Sequence, residues 1–174
     1  MQKSLFKISV WGFIFVGILG SLCHFFFEWS GKSTVIGLFC PINESCWEHL
    51  KLLFFPYLIW SVAEYFLRGK KAGIIFSKAV GVTAGMLAIT AFFYTYTGII
   101  GRSIEFLNIL DFFIGVATAF FTDFAMIKSA KFSKKSDAAG AGVFALWALL
   151  FFIYTFAPPF IPFFMDPVNF TYGL

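Results

Sequence analysis

Five long apolar runs, separated by short polar breaks, set out the plan of this chain. They fall at about residues 8–27, 44–67, 79–100, 106–127 and 138–156. Each reaches the ~18 apolar residues at which a run reads as a membrane-crossing helix. Trp11 and Trp29 stand near the two ends of the first run, where interfacial aromatics belong. The pattern predicts an all-α integral membrane protein: a single transmembrane domain over residues 1–174, built as a five-span helical bundle with an outer tail at 157–174. That tail carries Pro158, Pro159, Pro162, Pro167 and several aromatics, a composition suited to folding against helix ends rather than to a further helix.

Local signals refine the elements. The first run follows Lys3 and Lys7 and has no small-x-small cleavage site, so it reads as an uncleaved helix rather than a signal peptide. A polar loop at 29–34 and a small apolar segment ending at Pro41 come next. The second helix is expected to start near Asn43 or Ser45, either of which is a good N-cap. Glu44 and Glu48 would then lie in its first turns, where the helix dipole favours negative charge. Pro56 interrupts this helix, and Glu64 and Arg68 at its far end are four apart and can pair. Gly81 and Gly85 in the third run make a small-xxx-small pair suited to close packing, and small residues at 138–142 open the fifth run.

Composition agrees with a bilayer: 60% of residues are hydrophobic, 13% are charged, and mean hydropathy is +0.86. The 28 phenylalanines, which have no polar handle, suit contact with acyl chains. The net charge of +4 would suggest an anionic partner for a soluble protein. Here the basic residues sit in loops between spans, and no nucleic-acid recognition module accompanies them, so nucleic acid is excluded as a partner. Lys3, Lys7, Arg68, Lys70, Lys71, Lys78, Lys128, Lys131, Lys134 and Lys135 fall on one side of the threaded chain; Lys32, Lys51 and Arg102 fall on the other. The positive-inside rule then puts the N-terminus in the cytoplasm and the C-terminus outside, in a multi-pass protein of the cell membrane.

This threading gathers the polar residues on the outer side. His24 and Glu28 end the first span, and Asn43, Glu44, Glu48, His49 and Lys51 begin the second. Arg102, Glu105 and Asp111 lie around the start of the fourth, and Asp166 is in the tail. Ionisable residues in spans are expensive and face the bundle interior or a water-filled cavity, so an outward-opening polar pocket is expected. His24, Glu28, Asn43, Glu44, Glu48, His49, Lys51 and Asp111 are its candidate ligand-binding residues. His24 and Glu28 share one helical face, as do Glu44 and Glu48, and Glu48 and Lys51 are spaced to pair. His24, Glu28, Glu48 and His49 are the candidate metal ligands, with a divalent metal as candidate cofactor. Of the adjacent Glu48 and His49, about 100° apart on an ideal helix, Glu48 is expected to face the first span. The competing structural reading is an ion-pair and hydrogen-bond network with Trp47 as an interfacial anchor. Glu64 and Asp123, at the inner ends, are expected to pair with nearby Arg and Lys.

Other motifs carry less. A Cys40–Cys46 disulfide stays open, since a turn at Pro41 permits it while a helical Cys46 opposes it; Cys23 reads as a packing residue. Gly31-Lys32-Ser33 lacks the rest of a P-loop. Ser45 and His49 share a helical face, but such a hydroxyl more often caps a helix than attacks a substrate.

The signature residues Phe39, Pro41, Asn43, Glu44, Ser45, Trp47, Glu48, His49, Lys51 and Leu52, with His24, Glu28 and Trp29 before them, resemble an uncharacterised family. Its members are small bacterial multi-pass membrane proteins with the pattern F-x-P-x-N-E-S-x-W-E-H-x-K-L. Cys40, Ile42 and Cys46 fall where that pattern is loose. The resemblance implies the membrane fold and no activity. Two functions are therefore carried forward. One is an outer-leaflet pocket that binds or transports a cation or small polar ligand. The other is a metal-dependent membrane hydrolase acting at the outer interface, with Glu48 as general base. The expected partners are the lipid bilayer and a small ligand or ion; homo-oligomerisation is left open.

Overall fold

The computed structural model describes residues 2–129 and 132–174. The expectations for Lys131 and for the side chain of Lys3 lie outside the described residues. Six helices follow in order: α1 (Gln2–Trp29), α2 (Thr34–Phe39), α3 (Cys46–Leu67), α4 (Ile74–Ile100), α5 (Glu105–Ser129) and α6 (Lys134–Phe156). Five of them are long and apolar enough to span a membrane, and no strand occurs among the described residues. The short α2 is the small apolar segment before Pro41.

α3 is the central helix, packed against α1, α4, α5 and α6. Of its apolar window, 56% is buried, against 22% for α6, the most exposed of the five. It runs through Pro56 without a break. Its start is set by Ser45, whose hydroxyl accepts from the Glu48 amide at 3.3 Å. Several helices begin earlier than hydropathy predicts, because caps and not apolarity decide where a helix starts. α4 begins at Ile74 because the Asp137 carboxylate of α6 accepts the amides of Gly73, Ile75 and Phe76, donors that a helix N-terminus otherwise leaves free.

Small residues set the closest helix pair. A Cβ on Gly81 would lie 2.6 Å from the Ala119 carbonyl oxygen, and one on Gly85 would lie 2.6 Å from that of Gly115. The expected small-xxx-small stripe is therefore the seam between α4 and α5. Gly140, in the small tract of α6, similarly permits close approach to α4: a Cβ there would lie 2.6 Å from the Phe76 Cα.

The tail folds back on the bundle as expected. The Leu174 amide donates to the Thr155 carbonyl (2.8 Å), and Asp166, itself buried, takes the Val168 amide and the Asn169 side chain, each at 2.9 Å. The Phe163 carbonyl accepts the Trp47 amide at 3.1 Å, satisfying a donor at the start of α3. Trp47 is thus not an interfacial anchor. It is 5% exposed and enclosed by Trp147, Phe151, Tyr154, Phe163 and Phe164, because the tail covers the end of α3 that the sequence alone leaves open.

Gly85→Leu should lower the thermal midpoint of the purified protein, by the roughly 1–3 kcal/mol typical of overpacking. Gly98→Ala, where an added Cβ meets nothing within 4 Å, should leave it unchanged. Thermal denaturation of the two variants in detergent checks both.

Candidate functional site

The site is built where α1 ends and α3 begins. α2 folds back over α1, and Gly37 permits the approach: a Cβ there would meet Ile42 at 2.6 Å and Phe27 at 3.1 Å. A disulfide between Cys23 and Cys40 then ties the end of α1 to the end of α2. This corrects both cysteine expectations. Cys40 bridges back to Cys23, and Cys46 is the free thiol, because Cys46 opens α3 and turns away toward α4 and α5. Closing a loop of this length, 17 residues apart in sequence, restricts the unfolded chain by about 3 kcal/mol in the loop-entropy picture.

Residues 40–45 are held from below. Glu48 Oε2 accepts the Ile42 amide at 3.1 Å, and Asn43 Oδ1 accepts the Ser45 amide at 3.0 Å. Glu48 is also bound to Lys51, whose Nζ is fully buried. That ammonium donates to Glu48 Oε2 (2.6 Å), to the Gly37 carbonyl of α2 (2.8 Å) and to Thr155 Oγ1 of α6 (2.7 Å). The expected Glu48–Lys51 pair is present. Its partners Gly37 and Thr155 were missed; the signal for Thr155 was a small hydroxyl residue near the end of an otherwise apolar run.

With Glu48 committed to Lys51, it is His49 that faces α1, its ring centroid 5.3 Å from that of His24. This reverses the expected orientation: the two residues point about 100° apart, and the inner one follows the buried ammonium. Glu44 comes to His49 in place of Glu48, its Oε2 3.4 Å from His49 Nε2. Glu44 precedes the cap and is not on the helix, so the shared-face argument that linked it to Glu48 does not apply. Donor atoms of His24, Glu44 and His49 all lie within 4.8 Å of one another. Of the four expected metal ligands, the structure brings His24 and His49 together. Glu28 pairs with Lys32 at 3.6 Å on the exposed surface, and Glu48 lies with Lys51.

The protonation of this cluster is constrained by its geometry. His49 Nδ1 is 2.9 Å from the Ser45 carbonyl, which can only accept, so Nδ1 carries a hydrogen. Nε2 is then left facing a carboxylate, an arrangement that needs either a second proton on the ring or a cation shared between them. The His49 imidazole holds the Glu44 carboxyl below its ordinary value, outweighing its partial burial. The stabilisation from this contact is therefore present above the ordinary carboxylate range and lost as pH falls through the depressed value. His24 Nδ1 has no partner among the described residues.

Asp111 is buried but lies apart, against Cys46. A second charged cluster occupies the opposite end of the bundle. Lys78 pairs with Glu64 at 2.7 Å and with Asp123; Arg68 pairs with Glu64 at 3.1 Å; and the Tyr57 hydroxyl donates to Asp123. The pairing of Glu64 and Asp123 with basic residues is as expected. Lys78, counted as a loop charge, is instead fully buried within α4, since that helix starts at Ile74. Between the two clusters α3 offers Leu52, Leu53, Phe54, Phe55 and Pro56, all buried, a layer about 7.5 Å deep along the helix.

Lys51→Ala should destabilise the fold by about 3–5 kcal/mol, because it strands the Glu48 carboxylate in the interior. Lys51→Met combined with Glu48→Leu should recover most of that loss, and a denaturation series in detergent compares the two.

No curated protein matches the chain, and neither does any solved structure. One family matches over residues 1–174, described as a family of unknown function (DUF6512), and the chain belongs to it.

Proposed function

We propose that this chain is an integral membrane protein that captures a divalent cation at the end of its bundle, with His24, Glu44 and His49 as ligands. The observation that carries the reading is the convergence of two imidazoles and one carboxylate within 4.8 Å. Two nitrogens and one oxygen suit zinc and neighbouring transition metals, and three protein ligands leave a fourth position for water or a small ligand. The hydrogen bond from His49 Nδ1 to the Ser45 carbonyl is the outer-shell contact that orients a metal-binding histidine. A cavity of about 50 Å³ adjoins the cluster, bordered by His24, Glu28, Asn43 and Glu44, with room for a water.

Capture is favoured over conduction because the apolar layer of α3 separates this site from the Lys78 cluster. It is favoured over hydrolysis because Glu48, the general-base candidate, is 2% exposed and held by Lys51. The purified protein, stripped with a chelator and reloaded with Zn²⁺, should retain about one equivalent, on the premise that one site binds. His24→Ala and His49→Ala should each weaken binding by more than about tenfold. Binding should also fall as pH drops through the histidine range near about 6.5, where protons compete for the ring nitrogens. Equal uptake by the wild type and the double histidine variant, measured by metal analysis, would overturn the reading.

The site is read as facing outward in the cell membrane. Lys70, Lys71, Lys128, Lys134 and Lys135 cluster at the opposite end, and discounting the buried Lys78 and Lys51 leaves that bias intact. The N-terminus is then cytoplasmic and the C-terminus external. A phosphatase that works only outside the cytoplasm should be active when fused after Leu174; a fusion that is expressed but inactive speaks for the reverse topology.

A further inference from the structure

Among the described residues, the buried carboxylates have partners, with one exception. Glu48 has Lys51, Glu64 has Lys78 and Arg68, Asp123 has Lys78 and Tyr57, and Asp166 has the amides of the tail. Asp111, in the first half of α5, is 3% exposed. No cation and no hydrogen-bond donor among the described residues reaches it, and its Oδ1 is fully enclosed without a partner. The titratable group that faces it from α3 is the free thiol of Cys46. On α4 the Cys46 thiol is met by the uncharged Thr90 and lies near Tyr94, and no charged group from α1 acts on Asp111.

An ionised carboxylate is costly in such a place. Without a counter-charge, a buried acid takes up a proton rather than bear the loss of hydration, and a lone intramembrane acid marks a site of ion or proton traffic. A polar route leads toward it from the aqueous side. Asn108, three residues earlier on α5 and so on a neighbouring face, is exposed and donates to Ser103 Oγ at 2.9 Å. The hydroxyl of the buried Tyr96 donates to Asn108 Oδ1 and lies 3.3 Å from Ser103 Oγ. This hydrogen-bonded cluster places exchangeable polar groups between the exposed α4–α5 loop and a position three residues before Asp111.

We propose that Asp111 is a proton-binding site inside the membrane, a carboxylic acid that holds its proton at neutral pH and exchanges it with water through the Asn108–Ser103 end of α5. The site is separate from His24, Glu44 and His49 and stands whether or not those residues bind a metal. A monovalent metal ion at Asp111 is the competing occupant, and it requires the ionised form.

Infrared spectroscopy of the full-length protein in lipid nanodiscs at pH 7 distinguishes the two. The wild type should show a protonated-acid carbonyl band that is lost in Asp111→Asn, and this band should shift on transfer to D₂O. Wild-type and variant spectra that superimpose in this region mean that Asp111 is ionised, and overturn the proposal. A band that never shifts in D₂O overturns the exchange route. Should the variant not fold, dicyclohexylcarbodiimide, an apolar reagent for protonated carboxyls, is applied to the wild type. A covalent adduct mapped to Asp111 supports the proposal, and an unmodified Asp111 in a Phe121→Glu variant whose introduced carboxyl, at an exposed position of α5, is labelled overturns it.

Discussion

One buried ammonium holds together the end of this molecule that carries the His24–Glu44–His49 cluster. Lys51 Nζ has three hydrogens, and each goes to a different part of the chain: Gly37 of α2, Glu48 of its own helix and Thr155 of α6. In a low-dielectric interior a lysine with fewer partners would be severely destabilising, so α2 and α6 are obliged to close on α3. The rest of the site follows from that obligation. Glu48 is drawn toward Lys51 and, once there, receives the Ile42 amide, which fixes the loop between α2 and α3. The loop delivers Glu44 to His49, and His49 is left on the side of α3 that meets α1.

The all-helical plan was legible because hydropathy in a bilayer is read over whole spans, and errors at single positions average out. The stripe of Gly81 and Gly85 was legible for a related reason: a helix seam needs small residues at a fixed spacing, whatever else surrounds them. What failed depended on one turn of helix or on a fold-back. Glu44 and Glu48 looked equivalent while both were placed on a helix, but the Ser45 cap puts Glu44 outside it. Lys78 stood at the edge of an apolar run and read as a loop charge, although capping by Asp137 had already started the helix at Ile74. The Cys23–Cys40 bridge joins residues whose meeting requires α2 to fold back over α1, which no local signal specifies. Trp47 belonged to the interior only once the tail covered it.

Polar chemistry at the two ends of the bundle and apolar packing between them are parts of a single design. The Lys78 cluster satisfies its charges internally, with Lys78 also lying over the Phe120 and Tyr57 rings at 4.6 and 5.0 Å. A network of this kind fixes the register of α3, α4 and α5, since sliding any one helix would strand a charge in an apolar medium. The Glu48–Lys51 pair does the same at the other end for α2, α3 and α6. Leu53, Phe54, Val82, Met86, Val116 and Phe151 fill the space between, each essentially unexposed. The bundle is thereby pinned at two depths.

That pinning bears on where function can reside. Lys51 and Lys78 have their charge matched by neighbouring carboxylates, so neither cluster has a free charge with which to hold a ligand. Three of the unpaired or uncompensated groups among the described residues lie beside the first turn of α3 or facing it. Among the described residues His24 Nδ1 has no partner, His49 Nε2 faces a carboxylate, and Asp111 lies near the Cys46 thiol without a counter-charge. Cys46 and His49 are three residues apart on α3, so the His24–Glu44–His49 cluster and Asp111 meet the same turn of the most enclosed helix. Rigidity there is supplied from three sides, by the Ser45 cap, by the Lys51 ammonium and by the tail carbonyl on the Trp47 amide. A stable bundle would discard unpaired polar groups, and placing them on its best-supported turn is what binding requires: donors held in position before the ligand arrives.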